Sequence, residues 1–137
     1  MSHSTIRIAA AVLIDKDGQT LLVRKRGTRA FMQPGGKIDA DETPLQALAR
    51  ELHEELNLHI NPQEVVYLGQ FSSRAANEPG FMVQADMYQL HIDVAVEPAA
   101  EIEEICWIDP MGDGGLELAP LTREFILPHY RASLLSA

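Results

Sequence analysis

Residues 43–56 carry a helical period with three carboxylates along one flank, and this constrains the chain more than any other feature. On a helical wheel at about 100° per residue, with Glu51 at zero, Leu45, Leu48, Ala49, Leu52 and Leu56 fall between about 60° and 160°. That is the face to be buried. Gln46, Arg50 and His53 take the exposed side, and Glu51, Glu54 and Glu55 occupy one edge of the apolar stripe. Thr43 followed by Pro44 is a good helix start. It sets the carboxylates two to three turns in, away from the N-terminus where the helix dipole would favour them. Side chains three and four apart on a helix are neighbours, so the trio repels itself by about a few tenths of a kcal/mol per pair. An E-x-x-E-E run reads either as a solvated face or as a cluster of hard oxygen ligands for a divalent cation. Magnesium takes one or two carboxylates, keeps waters and is completed by substrate phosphates.

The sequence on either side is strand-like. Residues 6–14 are rich in Ala, Val and Ile and stop at the turn cluster 15–18, and residues 20–25 resume, which predicts a β-hairpin. Residues 26–34 are basic and irregular and lead into Pro34-Gly35-Gly36, read as a break that neither a helix nor a central strand accepts. Residues 64–73 and 81–92 are further strand-like runs, 98–104 read as an acidic loop, and 105–108 form a short apolar strand stopped by Asp109-Pro110. Residues 121–135 read as a C-terminal helix that Pro128 kinks. No repeat or linker interrupts the pattern, so residues 1–137 read as one domain, α/β or α+β, with mixed strands.

Of the 137 residues, 11 are Lys or Arg and 20 are Asp or Glu, for a formal net charge of -9. A chain this acidic is a poor partner for a nucleic-acid backbone or an anionic membrane. To meet a phosphorylated ligand it needs a cation. The single cysteine, Cys106, excludes an intramolecular disulfide and a multi-cysteine zinc site. Residues 1–8 lack the basic and apolar regions of a secretory signal, and no apolar run approaches a membrane span. The reading is a soluble, cytoplasmic protein.

The stretch from Gly36 through Glu42 to Arg50-Glu51-Leu52-His53-Glu54-Glu55-Leu56-Asn57-Leu58 resembles the signature of the Nudix hydrolases, G-x5-E-x7-R-E-U-x-E-E-x-G-U with U apolar. Eight of its nine specified positions match across the 23 residues 36–58. The departure is Asn57, which stands where the family has Gly. That position ends the helix in a left-handed conformation, and Asn is the next most tolerant residue there.

The resemblance implies an α/β/α sandwich around a mixed sheet. It also implies hydrolysis of a nucleoside diphosphate linked to another group X, by water attack on phosphorus with Mg²⁺ as cofactor and Mn²⁺ as substitute. Position by position, it makes Glu54 and Glu55 metal ligands and Glu51 a further ligand or the general base. The carbonyl at Gly35 or Gly36 is an added ligand. Arg50 orients the glutamates, and Glu42 is its salt-bridge partner. Lys25 matches a position that sometimes contacts phosphate, and Arg24 is grouped with it as substrate-binding. Enzymes of this kind often place a further glutamate before a Trp-bearing strand. Glu101, Glu103 and Glu104 precede Trp107, and Glu101, at the loop end, is the first choice.

Within the family, a hydrolase of ADP-ribose or another nucleotide sugar is the competing substrate class, and the proline that often marks it is absent from residues 74–76. A non-catalytic nucleotide-sensing module is the other alternative, but such modules usually lose box glutamates that this chain keeps. No segment specifies an oligomeric state. His53-Glu54-Glu55-Leu56-Asn57 falls short of a zincin H-E-x-x-H because Asn replaces the second His. His3, His59, His91 and His129 show no ligand spacing, and Cys106 reads as a buried inert thiol. Trp107 reads as core, while Phe31, Tyr67 and Phe71 are candidates for either a base pocket or the core.

Overall fold

The computed structural model describes residues 4–136, so His3 and the first residues of the N-terminal stretch lie outside it. The strands are β1 (Thr5–Ile14), β2 (Thr20–Lys25), β3 (Gly35–Lys37), β4 (Val66–Arg74), β5 (Met82–His91) and β6 (Ile102–Ile108). Helix α1 (Pro44–Leu56) joins β3 to β4. A π-helical turn, Thr122–Ile126, runs directly into α2 (Leu127–Leu135). The sheet order is β4-β5-β1-β2-β6, and β3 also pairs with β1. The β1–β5 pair is parallel and the other pairings are antiparallel, so the sheet is mixed.

β1 runs through the middle of the molecule and is buried on both faces. Alternate side chains of a strand point to opposite sides, and here each side meets a helix. Ala9, Ala11 and Leu13 share one core with Ala47, Leu48, Leu52 and Leu56 of α1. Ala10, Val12 and Ile14 share the other with Leu121, Ile126 and Tyr130. Burial on both faces is why this strand reads as a nearly continuous apolar run. The result is the α/β/α sandwich around a mixed sheet that the sequence led us to expect.

α1 begins and ends for local reasons. The Thr43 side chain accepts from the Gln46 N–H, the Gln46 side chain accepts from the Thr43 N–H, and Pro44 needs no partner in the first turn. Asn57 closes the helix at φ 54 and ψ 35, with its N–H donated to the His53 carbonyl. The left-handed backbone required at this position is present, with Asn in place of Gly.

Two expectations need correction. The Pro-Gly-Gly break is followed at once by a strand: β3 pairs antiparallel with β1 through Ile8–Lys37, Ala9–Gly36 and Ala10–Gly35. The β1–β2 register is given by Ile14–Thr20, at the far end of β1, so the near end is left open to β3. Gly35 sits at φ +149, and a Cβ there would collide with the Ala9 carbonyl and the Ala10 backbone. A strand passing this close to β1 therefore needs glycine at position 35. The acidic loop is shorter than expected, because β6 starts at Ile102 and takes Glu103 and Glu104 into the sheet. Pro128 sits in the first turn of α2, where i−5 hydrogen bonding gives way to i−4, as the Leu127 N–H bonded to the Thr122 carbonyl shows. The missing proline N–H is tolerated at that change of pattern.

Candidate active site

Gly36 and α1 together place the carboxylates. Gly36 lies in β3 against the Glu51 side chain, and a Cβ at Gly36 would fall on the Glu51 carboxylate. The absence of a side chain is thus a condition for Glu51 to reach the strand. Arg50 organises the remainder. Its Nε and Nη2 donate to the two oxygens of Glu42 at 2.7 and 2.8 Å, and Nη1 donates to Glu51 at 2.8 Å and Glu54 at 2.9 Å. Nη2 also donates to the Lys37 carbonyl at 3.1 Å, and Asp39 lies 3.6 Å away. One guanidinium therefore ties α1, β3 and the loop between them, using the fork geometry that suits paired carboxylates. The Arg50 hydrogen bonds hold the Glu42 carboxyl down at about 2, and the same partners keep Arg50 charged.

Glu55 is different from its neighbours. It is 2% exposed, among the core residues. Oε1 accepts from the Gly35 N–H at 3.3 Å, and Oε2 has no partner. Burial, then the nearby Glu51 carboxylate, push its pKa up to about 8; the Gly35 N–H and Lys25 pull the other way, and Glu101 adds to the rise. A buried carboxylate with a free oxygen, beside two more carboxylates and a close-packed glycine backbone, fits a hard divalent cation. The donors that would hold it are Glu51, Glu54, Glu55 and the Gly36 carbonyl. Among the described residues, no three acidic, His or Cys side chains already enclose a common point, because Glu51 and Glu54 are turned to Arg50.

Strand alternation divides the remaining candidates between the two faces of the sheet. Lys25 falls on the α1 side with Leu21 and Val23, and its Nζ lies 3.5 Å from Glu101. Glu101 is brought there by the chain before it. The Glu97 N–H bonds the Leu56 carbonyl and the Ala99 N–H bonds the Glu55 carbonyl, which fastens the loop to the end of α1. Arg24 is not brought to the carboxylates. It lies on the α2 side, donating to Glu104 at 3.2 Å and to the Thr28 carbonyl at 2.8 Å, over the Phe31 ring. Glu104 is occupied by the same pair. A β-bulge between Arg24 and Lys25 pairs Lys25 with Ile102 and leaves Glu103 out of register. Ile102 therefore packs in the α1-side core, opposite to what simple parity along β6 assigns.

The other residues singled out in the sequence have structural surroundings. Trp107 packs against the α1-side core and Phe31 lies in a third cluster with Leu22 and Leu127. Cys106 is only half-buried. Tyr67 donates to Asp86 at 2.7 Å, and Phe71 meets His129 edge-on at 5.4 Å. His53 and His59 stack at 4.3 Å at the end of α1. Lys37 and Asp39, both against Arg50, were not singled out. Their place between Gly36 and Glu42 is the signal that could have found them.

Taken together, fold and site define a three-layer α/β/α protein in which an acidic helix faces a glycine strand. The family model of the NUDIX domain matches residues 5–113, which include all six strands and α1. The chain belongs to the Nudix family. An 8-oxo-dGTP diphosphatase from Haemophilus influenzae is 42% identical over 62 residues, covering 42% of this chain and 46% of that protein. An RNA pyrophosphohydrolase from Halorhodospira halophila is 43% identical over 58 residues, covering 42% of this chain and 31% of that protein. The chain spans less than half the length of these relatives in the matched segments. Among solved structures, the MutT protein of Methanosarcina mazei Go1 superposes with a TM-score of 0.79 over 98% of both chains at 22% identity, a likeness of fold. No helix of the described residues is long and apolar enough to cross a membrane.

Proposed function

We propose that this chain is a divalent-metal-dependent pyrophosphohydrolase, cleaving a nucleoside diphosphate linked to a further group, with Mg²⁺ as the ion and Mn²⁺ as its substitute. The observation that carries this reading is the buried Glu55 carboxylate with an unpartnered oxygen, set beside Glu51, Glu54 and the Gly36 backbone. A bound cation there would neutralise the pyrophosphate, stabilise charge in the transition state and acidify a water. Water adds to one phosphorus as the bridging P–O bond breaks, a glutamate accepts the water proton, and a phosphate leaves. Glu51, Glu54 and Glu101 are the carboxylates within the cluster that can take that proton. Arg50 is a positioning residue: it holds Glu51 and Glu54, and Glu42 anchors it. Lys25, beside Glu101 and on the α1 side, supplies a charge for a substrate phosphate. Arg24, spent on Glu104 and Thr28 across the sheet, does not.

The reading is tested by measuring phosphate and pyrophosphate release across nucleoside triphosphates, nucleotide sugars and dinucleoside polyphosphates. Turnover on at least one class is expected. Nucleotide binding with no turnover on any of them would overturn the proposal in favour of a sensing module. The same assay separates the acidic residues before Trp107. Glu101→Gln is expected to lower the maximal rate tenfold or more, about 1.4 kcal/mol of barrier. Glu103→Gln and Glu104→Gln should do little, because one lies at the bulge and the other faces Arg24. Equal rates for all three variants would confine the site to the helix.

A further inference from the structure

We infer that Gln33 selects the base of the nucleotide, using a buried amide N–H that favours a base with a ring carbonyl over one with an amino group in its place. This deepens the nucleotide reading above and rests on it. A small apolar cavity, partly open to solvent, lies on the α2 side of the sheet. β1 and β5 contribute Ile8, Ala10, Val83 and Met87 to its lining, with Met32 and Leu121 beside them. A second cavity shares Ile8, Met32, Gln33 and Val83 with the first and reaches Lys25, Gly35, Gly36 and Lys37. The two adjoin, so a ligand seated in the apolar chamber can extend a charged tail toward Lys25 and the glycine strand that faces Glu51 and Glu55. That is the division of a nucleotide into a flat apolar end and an anionic end.

Gln33 lines both cavities and is 6% exposed. Its Oε1 accepts from the Thr122 hydroxyl at 2.7 Å, while Nε2 has no partner. Buried polar groups are almost always paired, so an unmet donor in a chamber wall is an attraction for any ligand that brings an acceptor. The only other charged or polar groups in this lining are Thr122 and Arg74, and Arg74 is held by Glu124 at 3.0 Å. A free glutamine amide reads adenine by giving one hydrogen bond and taking another. In Gln33 the oxygen already accepts from Thr122 while the N–H groups are unmet, so the capacity the amide still lacks is chiefly for an acceptor. Guanine, thymine and uracil present a ring carbonyl to such a donor. Adenine and cytosine present an amino group at the corresponding position and meet it donor to donor.

The test compares kcat/KM for GTP against ATP and for UTP against CTP in the wild type, Gln33→Leu and Thr122→Val. Equilibrium binding of GMP and AMP in chelator accompanies it. The wild type is expected to favour the carbonyl base at least tenfold in each pair. Gln33→Leu should bring the ratio toward one, chiefly by loss on GTP and UTP. Thr122→Val frees Oε1, lets the amide turn, and should lower the ratio by gain on ATP and CTP, which keeps the test open if the Gln33 variant folds poorly. No preference in the wild type, or a preference unchanged in a folded Gln33→Leu, would overturn the inference. Monophosphate binding needs no cleavage, so a GMP preference that Gln33→Leu removes supports the role of Gln33 even where no triphosphate is hydrolysed. That last outcome would sink the hydrolase reading alone. Glu54→Gln, as a control, should lose turnover and keep the GMP preference.

Discussion

Glu55→Gln and Glu54→Gln are expected to lower turnover at least a hundredfold each, about 2.7 kcal/mol of barrier, in proteins that remain folded. Glutamine keeps the size and helix propensity of glutamate and removes only the charge. Glu55 adds a second signature, in stability. Its pKa is pushed from 4.5 to about 8 by burial and by Glu51, so the folded protein holds a proton that the unfolded chain has lost. Between those two values the folded state binds more protons, and stability falls as pH rises. The contribution is intact below about pH 4.5 and lost by the time pH has passed about 8. In chelator, Glu55→Gln should therefore melt higher than the wild type at pH 9 and close to it at pH 4.5. Adding Mg²⁺ should stabilise the wild type more than the variant. Melting curves at the two pH values with and without the ion check this. A Glu55→Gln protein with near-wild-type turnover would show that the helix is not the active site.

Removing divalent ions should abolish turnover altogether, with recovery on adding Mg²⁺ or Mn²⁺. Without an ion, the proposed site sets Glu51, Glu54 and Glu55 against an anionic pyrophosphate in a chain whose net charge is -9. Arg50 does not relieve this, because its donors are already given to Glu42, Glu51, Glu54 and Lys37. An ion that binds only the folded chain also raises its melting temperature by mass action. A titration of melting temperature against Mg²⁺ should therefore saturate in the same range as activity. Turnover undiminished in excess chelator would refute the metal dependence and the ligand roles of the three glutamates with it.

Much of the fold and part of the site were legible in the sequence, and the dividing line is physical. α1, its cap at Thr43, its end at Asn57 and the clustering of its carboxylates follow from interactions among residues one to four apart. Such interactions can be read from spacing alone. The first hairpin and the mixed strand pattern were visible for the same reason, through turn residues and alternation. The box itself is local, and its resemblance to the Nudix signature carried the family.

Relations between distant segments were a different matter. β3 was read as a break because nothing in Gly35-Gly36-Lys37 announces a strand, and only the open end of β1 supplies its partner. Arg24 and Lys25 are adjacent in sequence and look interchangeable as phosphate contacts, yet alternation sends them to opposite faces of the sheet. A bulge that spacing does not reveal moved Ile102 to the α1 side. Gln33 gave no signal at all, since the Thr122 hydroxyl that holds its oxygen lies 89 positions away. The sequence by itself determined which chemistry the helix can carry, because neighbours on a helix are set by a fixed rise and turn. Tertiary structure alone decided which charges and which loop glutamate share a space with that helix, and which buried amide lines the cavity on the opposite face, because strand register and face depend on pairings between segments far apart in the chain.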